Sequence, residues 1–414
     1  MRTVHVLRKL NPAEWGGTET AIERLCSGLR EQGVDTVAYC PRVENAPPGD
    51  PLTRSGCAVK RFRAFVPVMG LSPQRRRQLV AVGGNLMSFD LASSLWREKA
   101  AVIHSHVLGR IGGIARTVAR RRGVPFVVSI HGGVLDLPGK VREEFNAPCA
   151  HGWEWGRLFG WLVGARHLFR DADAIITCNG NEAALLRKNH PEKRVVVQPH
   201  GVPLELYRKD HRETARAAFP EIFGRQTLLC VGRIDPIKNQ HWLLDQAQTI
   251  FQKHPRAVLV LAGACTDEPY GELIARKIEE LGLRDRVLMT GGLPPNDPRL
   301  IGLLQEASAV VLPSVSETFG LVVLEAWAAG SVVLSSRTSG PSALVRHGEN
   351  GWLFSLDKPQ EFHGALNVAL TDAPLARSMA GRGARVSEEY GLGALAGRLK
   401  NLYEQLIEEK RCDT

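Results

Sequence analysis

The sequence predicts an α/β protein of two domains, each a parallel sheet covered by helices. Three observations lead there. The chain has 414 residues, more than one hydrophobic core ordinarily supports. Short apolar runs of strand length alternate with amphipathic helical patterns through both halves. A polar stretch at 200–225, marked by Pro203, Pro220 and Gly224, separates the halves and reads as a linker.

In the first half, strands are expected at 3–10, 35–40, 58–65, 101–106, 125–129, 174–177 and 194–198. Helices fit 19–30, 79–97, 109–122, 154–170 and 182–189, with Gly33 and Gly123 closing the first and third. In the second half, strands fit 226–231, 257–262, 287–290, 309–312 and 331–334. Helices fit 240–254, 272–281, 298–306, 319–329 and 340–347. After about 357 the chain reads as wholly helical, and Leu395, Leu399, Leu402 and Leu406 share one face of the last helix. The domains are therefore placed at 1–200, 201–385 and a terminal helix at 386–414.

Composition narrows the class. Hydrophobic content of 44% and charge of 23% suit a soluble globular chain. No apolar run is long enough for a transmembrane helix, and the N-terminus enters a strand pattern without signal-peptide architecture, so a cytoplasmic location is expected. Eight cysteines without a Cys-x-x-Cys pair read as buried reduced thiols. The net charge of +10 is uneven: residues 1–200 carry 29 basic and 17 acidic side chains, and 201–414 carry 24 and 26. Segments 51–89 and 99–135 contain no acid, so the first domain's partner is expected to be anionic. Nucleic acid is not expected, because aromatic-interleaved basic patches and groove-entering motifs are missing.

Two glutamates eight positions apart, Glu317 and Glu325, lie in Ser314-Val-Ser-Glu-Thr-Phe-Gly-Leu-Val-Val-Leu-Glu325 after an apolar strand. A loop carrying Glu317, then a helix opening near Phe319-Gly320, places one carboxylate before a helix N-terminus and one on its flank. Such an end offers unpaired N–H groups to a phosphate. Two carboxylates around it suit the hydroxyls of a nucleotide-sugar; the plainer alternative is a loop Glu and a solvated helical Glu. In Gly232-Arg-Ile-Asp-Pro-Ile-Lys-Asn239, Arg233 and Lys238 follow a strand's C-terminal edge, where open α/β sheets bind ligands. A guanidinium fork and an ammonium there suit a diphosphate leaving group, or are solvated bystanders. Gly16 and Gly17 join the first strand to the first helix and permit close backbone approach, or simply form a tight turn. His131 ends a strand before Gly132-Gly133; His104 and His106 alternate at another strand end, with no third metal ligand in view.

These segments together resemble the retaining glycosyltransferases of family 4, which have the GT-B fold. The resemblance covers roughly 1–390 and is carried by the Glu-x7-Glu run with its flanking Ser-Glu-Thr-Phe-Gly-Leu, by Gly-Arg-x4-Lys, and by Ser-Ile-His131-Gly. It implies two Rossmann-like domains facing across a crevice, with the C-terminal helix crossing back to the first. It implies that Glu317 holds the donor sugar, Glu325 the ribose, and Arg233 and Lys238 the diphosphate. Thr318, Phe319, Gly320 and Leu321 complete the donor loop, with Gly16 and Gly17 against the diphosphate. His131 would lie near the reacting carbon and His106 on the acceptor side. The implied reaction moves a hexose from a nucleoside-diphosphate sugar, UDP-sugar favoured and GDP-mannose next, to a glycan, lipid-linked or small-molecule acceptor in envelope polysaccharide or glycolipid synthesis. No cofactor or divalent metal is implied. Contact with anionic membrane at the inner face through the basic domain is a further expectation. A nucleotide-sugar-binding protein or an epimerase of the same fold is the alternative.

Three features fit less directly. Asp171-Ala-Asp173 looks like a metal motif of the other large glycosyltransferase fold, but follows a helix and precedes a strand, where it reads as structural. Trp153, Trp155, Phe159 and Trp161 read as a packed aromatic helix in preference to a membrane-dipping one. In Pro199-His-Gly-Val202, His200 stands where the family has Asn.

Overall fold

The computed structural model describes residues 1–11, 15–42, 51–81, 86–131 and 153–412. Two compact units divide the chain, one of Met1–His200 with Gly393–Thr414 and one of Gly201–Leu392.

The first unit is built on a seven-stranded sheet. Its strands are β1 (Arg2–Val6), β2 (Asp35–Pro41), β3 (Ala58–Phe62), β5 (Val102–Ser105), β6 (Phe126–Ile130), β8 (Ala174–Thr177) and β9 (Val195–Val197), in the order β3-β2-β1-β5-β6-β8-β9. Every pair is parallel. Burial explains this: β1, β5, β6 and β8 are buried at almost every position, because helices cover both faces. Strand order reverses between β1 and β5, so the loops leaving these two strands diverge and open a crevice at the sheet's C-terminal edge. The terminal helix Leu392–Cys412 belongs to this unit. Its Leu399, Leu402, Tyr403 and Leu406 share a core with Leu29, Val102, Val127 and Ile176.

The second unit carries β10 (Gln226–Val231), β11 (Ala257–Ala262), β12 (Val287–Gly291), β13 (Ala307–Leu312), β14 (Val333–Ser336) and β15 (Trp352–Phe354), in the order β12-β11-β10-β13-β14-β15, again all parallel. Here the order reverses between β10 and β13.

Three expectations change. The stretch at 200–225 is not a bare linker: it forms the helices Leu204–Arg208 and Arg212–Ala218 and the turn Pro220–Ile222. The helix Pro298–Glu306 receives it at Gly302, where an added Cβ would stand 2.7 Å from Ala215 Cβ. The long helix expected at 79–97 is replaced by separate helices Pro73–Ala81 and Asp90–Arg97. The aromatic helix expected at 154–170 is broken. Trp153–Glu154 (β7) pairs antiparallel with Val68–Met69 (β4), and two short helices follow, Arg157–Leu162 and Leu168–Asp171. Gly164, in the left-handed region at φ 62°, separates them. The packed reading of this segment holds only in part: Phe159 packs against the first unit's core, but the helix Arg157–Leu162 has no buried residue and Trp161 is 74% exposed. Among the described residues no helix is long and apolar enough to cross a membrane.

Candidate functional site

In the second unit the expected residues converge on the switch point between β10 and β13. The loop after β10 carries Arg233 and Lys238, and the loop after β13 carries Glu317. The two loops are tied by Val315 N–H donating to Ile237 O at 2.8 Å and by Asn239 Nδ2 donating to Pro313 O at 3.2 Å. Lys238 Nζ donates to Glu317 Oε2, closing an ion pair whose side chains are each about one-fifth exposed. Arg233 is held by Asp235 at 2.9 Å. Asp235 also accepts from the Lys238 backbone N–H at 3.0 Å, so one buried carboxylate positions both cations. Sequence reasoning passed over Asp235, although it lies two residues past Arg233.

Downstream of Glu317, Gly320 caps the helix Leu321–Ala328 at φ 92°, a conformation that disfavours any side chain. Thr318 and Phe319 form the approach to that cap, and Leu321 is the first helical residue. The helix begins two residues later than expected. Glu325 lies on its second turn and is buried. The Glu317 carbonyl accepts from Gly340 N at 2.8 Å and from Ser339 Oγ at 3.2 Å, which fixes the loop from behind. The arrangement offers two cations, two carboxylates and a helix N-terminus at one sheet edge, the chemistry of an anionic, hydroxyl-rich ligand.

The first unit's switch point holds a different set. Gly16 caps the helix Gly17–Glu31 in extended conformation, and its N–H donates to Glu19 Oε2 at 3.1 Å. Both glycines therefore lie at a helix start, as the sequence implied. On the sheet edge, parallel register sets His5 of β1 beside His104 of β5, and the period of two brings His106 onto the same face. Their rings lie 5.3 Å (His5 to His104), 5.2 Å (His5 to His106) and 4.1 Å (His104 to His106) apart. His131, just past β6, stacks on His106 at 5.0 Å, and His200 stacks on His131 at 5.4 Å. Gly132 and Gly133, beside His131, lie outside the described residues.

His5 corrects the expectation that no third imidazole accompanies His104 and His106: ligand atoms of the three lie within 4.8 Å of one another. Their nitrogens are nevertheless engaged. His5 Nε2 meets Thr3 Oγ1 at 3.2 Å and His5 Nδ1 meets His106 Nε2 at 2.9 Å. His106 Nδ1 meets His131 Nε2 at 2.8 Å. His104 is held at both ends, by Tyr403 Oη and Ser129 Oγ, each at 2.6 Å. A metal at these rings would have to displace hydrogen bonds that already use all six nitrogens. Burial lowers the His5 pKa to about 4. For His131, burial and then the nearby Arg8 guanidinium give a value of about 4. His104, His106 and His200 are lowered as well, by burial first and neighbouring rings next. All five rings are therefore neutral near pH 7.

The expected decoy resolves structurally. Asp171 is gripped by Arg116, Arg120 and Arg170, which hold its carboxyl down at about 2. Asp173 accepts from Phe126 N at 2.8 Å and from Lys410 at 2.8 Å.

Comparison with known proteins places both units. Residues 16–201 match the glycosyl transferase 4-like domain, and residues 211–386 match the glycosyl transferases group 1 family. The chain is 28% identical to a D-inositol 3-phosphate glycosyltransferase of Thermobispora bispora, over 95% of this chain and 90% of that one. It is 31% identical to the corresponding protein of Mycolicibacterium paratuberculosis, over 75% and 69%. Among solved structures, Anabaena Alr3699/HepE in complex with UDP-glucose superposes with a TM-score of 0.71 at 18% identity, covering 98% of this chain and 100% of that one.

Proposed function

The chain belongs to the glycosyltransferases of family 4, and from that premise we propose that it moves a hexose-type sugar from a nucleoside-diphosphate sugar to a hydroxyl acceptor with retention. A UDP-sugar is the favoured donor and a GDP-sugar the next. One observation carries the reading: Asp235 holds Arg233 and the Lys238 backbone, and Lys238 pairs with Glu317, at the β10/β13 switch point beside the N-terminus of the helix Leu321–Ala328.

Arg233 and Lys238 neutralise the departing diphosphate, and the helix N-terminus adds its unpaired N–H groups. Glu317 and Glu325 hold the sugar and ribose hydroxyls. In the reaction the bond between the anomeric carbon and the phosphate oxygen breaks. The acceptor hydroxyl oxygen bonds to that carbon on the same face, and its proton passes to the leaving phosphate. Side-chain cations supply the charge that a divalent metal supplies elsewhere. The acceptor belongs with the basic first unit and His106. The named relatives act on a phosphorylated cyclitol, which supports an anionic acceptor of that kind or one presented at an anionic lipid surface.

Thermal unfolding against UDP, GDP, ADP and CMP, with the wild type and Arg233→Ala, tests the donor site. A ligand at 100 times its dissociation constant stabilises by about 2.7 kcal/mol, a shift of several degrees. A rise with one diphosphate, abolished in the variant, is expected. No rise with any of them removes the nucleotide-sugar reading. A rise without sugar transfer from the matching donor leaves a binding protein in its place.

A further inference from the structure

The helix Leu321–Ala328, whose N-terminus belongs to the proposed diphosphate site, is braced at both ends by one later segment of the chain. The helix Ala373–Glu388 meets it near its C-terminal end, and the contact is close: a Cβ added at Gly383 would stand 2.3 Å from Cδ1 of Trp327. Trp327 is fully buried and donates from Nε1 to the Asn350 carbonyl at 3.0 Å, so its ring has nowhere to move. Seven residues beyond Gly383, Tyr390 reaches Phe319, which stands eight residues before Trp327. The two segments therefore pass in opposite directions, touching once at each end of the helix Leu321–Ala328.

The second contact bears on the donor loop. The rings of Phe319 and Tyr390 lie 6.2 Å apart, edge to face at 60°, the geometry of a favourable aromatic pair. Phe319 is buried and directly precedes Gly320, the cap of the helix. Its main chain lies against Gly340, so that the loop after β14 fixes its backbone while Tyr390 fixes its ring. Tyr390 is itself anchored through its main chain. Its N–H donates to the Ser387 carbonyl at 3.0 Å, its carbonyl accepts from Val202 N–H at 2.9 Å, and Gly391 adds a bridge to Val202. The Tyr390 hydroxyl is not hydrogen-bonded among the described residues, which leaves the ring as the acting part of the side chain.

We propose that Tyr390 is a positioning residue of the donor site: its ring holds Phe319, and through it Gly320 and the first turn of the helix, in the form that receives the diphosphate. This rests on the reading of that helix N-terminus as the diphosphate site. Backbone N–H groups bind a phosphate well only when they are preorganised around it, so loosening Phe319 weakens binding without removing any charged contact.

Isothermal titration with UDP and GDP tests this, together with amide hydrogen exchange on the nucleotide-free full-length protein, in wild type, Tyr390→Ala and Tyr390→Phe. An aromatic pair of ordinary strength corresponds to roughly two- to tenfold in an equilibrium. Tyr390→Ala should weaken diphosphate binding by that factor and speed exchange across 317–323 while leaving β11 unchanged. Tyr390→Phe should restore both readouts. Unchanged affinity, or unchanged local exchange, in Tyr390→Ala would overturn the proposal. Faster exchange throughout the unit, β11 included, would mean a merely structural tyrosine and would overturn it as well. A Tyr390→Phe protein as impaired as Tyr390→Ala would overturn the role of the ring in favour of the hydroxyl. If Tyr390→Ala does not unfold cooperatively, Tyr390→Leu carries the same comparison. A wild type that binds neither UDP nor GDP dismisses the donor reading alone, because local exchange in the nucleotide-free protein still decides whether Tyr390 holds the loop.

Discussion

At Glu317 one carboxylate serves two partners: it holds Lys238 in the free protein and, in the proposed reaction, hydroxyls of the donor sugar. These duties separate in Glu317→Gln. The amide no longer neutralises Lys238, whose ammonium remains available to phosphate, so stabilisation by the nucleoside diphosphate should persist or rise. The sugar hydroxyls lose a charge-assisted acceptor, a loss of about 1.5–3 kcal/mol, or roughly ten- to a hundredfold in rate. Thermal shift with the diphosphate and steady-state transfer from the intact donor, measured together, check both halves. Loss of the thermal response in this variant would mean that the ion pair is needed to build the loop, and that Glu317 has been misassigned.

The loop bearing Glu317 depends in turn on the element behind it. Gly340, in the helix Ser339–Leu344, donates to the Glu317 carbonyl, and an added Cβ there would stand 2.5 Å from the backbone N and C of Phe319. No side-chain rotation relieves a clash with main chain. Gly340→Ala should therefore displace 317–320 and abolish the diphosphate response, while destabilising the protein by about 1–3 kcal/mol. Urea unfolding with and without nucleotide checks it; an unchanged nucleotide response would show that the loop tolerates the shift. The same loop shows what was legible in the sequence. An apolar strand followed by a polar, glycine-containing run reads locally, so Arg233, Lys238, Glu317 and Gly320 were all visible. The last helix was legible too, because Leu395, Leu399, Leu402 and Leu406 repeat at helical spacing and are all buried. Contacts set by register or packing left no such mark. His5 joins His104 only through the pairing of β1 with β5, about a hundred residues apart. The short helices at 204–218 need the niche at Gly302, and Asp235 acquires meaning only once its loop folds.

Across the whole molecule, the basic excess of the first half lies in the same unit as an apolar surface that local pattern had read as packed. Phe65 lies 5.3 Å from Phe89 and 6.0 Å from Trp155, and Phe89 lies 5.7 Å from Phe159, ring centre to ring centre. Phe89 is 64% exposed, and beyond it Leu158, Trp161 and Leu162 stand in solvent on the helix Arg157–Leu162. Two arginines lie on neighbouring segments: Arg63 donates its backbone N–H to Asp90, next to Phe89, and Arg76 donates to the Val68 carbonyl on β4. Exposed aromatic and aliphatic side chains on a unit with a basic excess are costly in water and well suited to the headgroup boundary of an anionic bilayer. Each cation near such a surface contributes about 1 kcal/mol, screened within a Debye length. The protein should therefore co-sediment with vesicles containing phosphatidylglycerol, less with pure phosphatidylcholine, and less again as salt rises. Replacing Leu158 and Trp161 together by serine should weaken sedimentation without moving the thermal response to nucleotide, which belongs to the other unit. Equal recovery with anionic and neutral vesicles would remove the charge argument, and unaltered binding by the double variant would remove the apolar one.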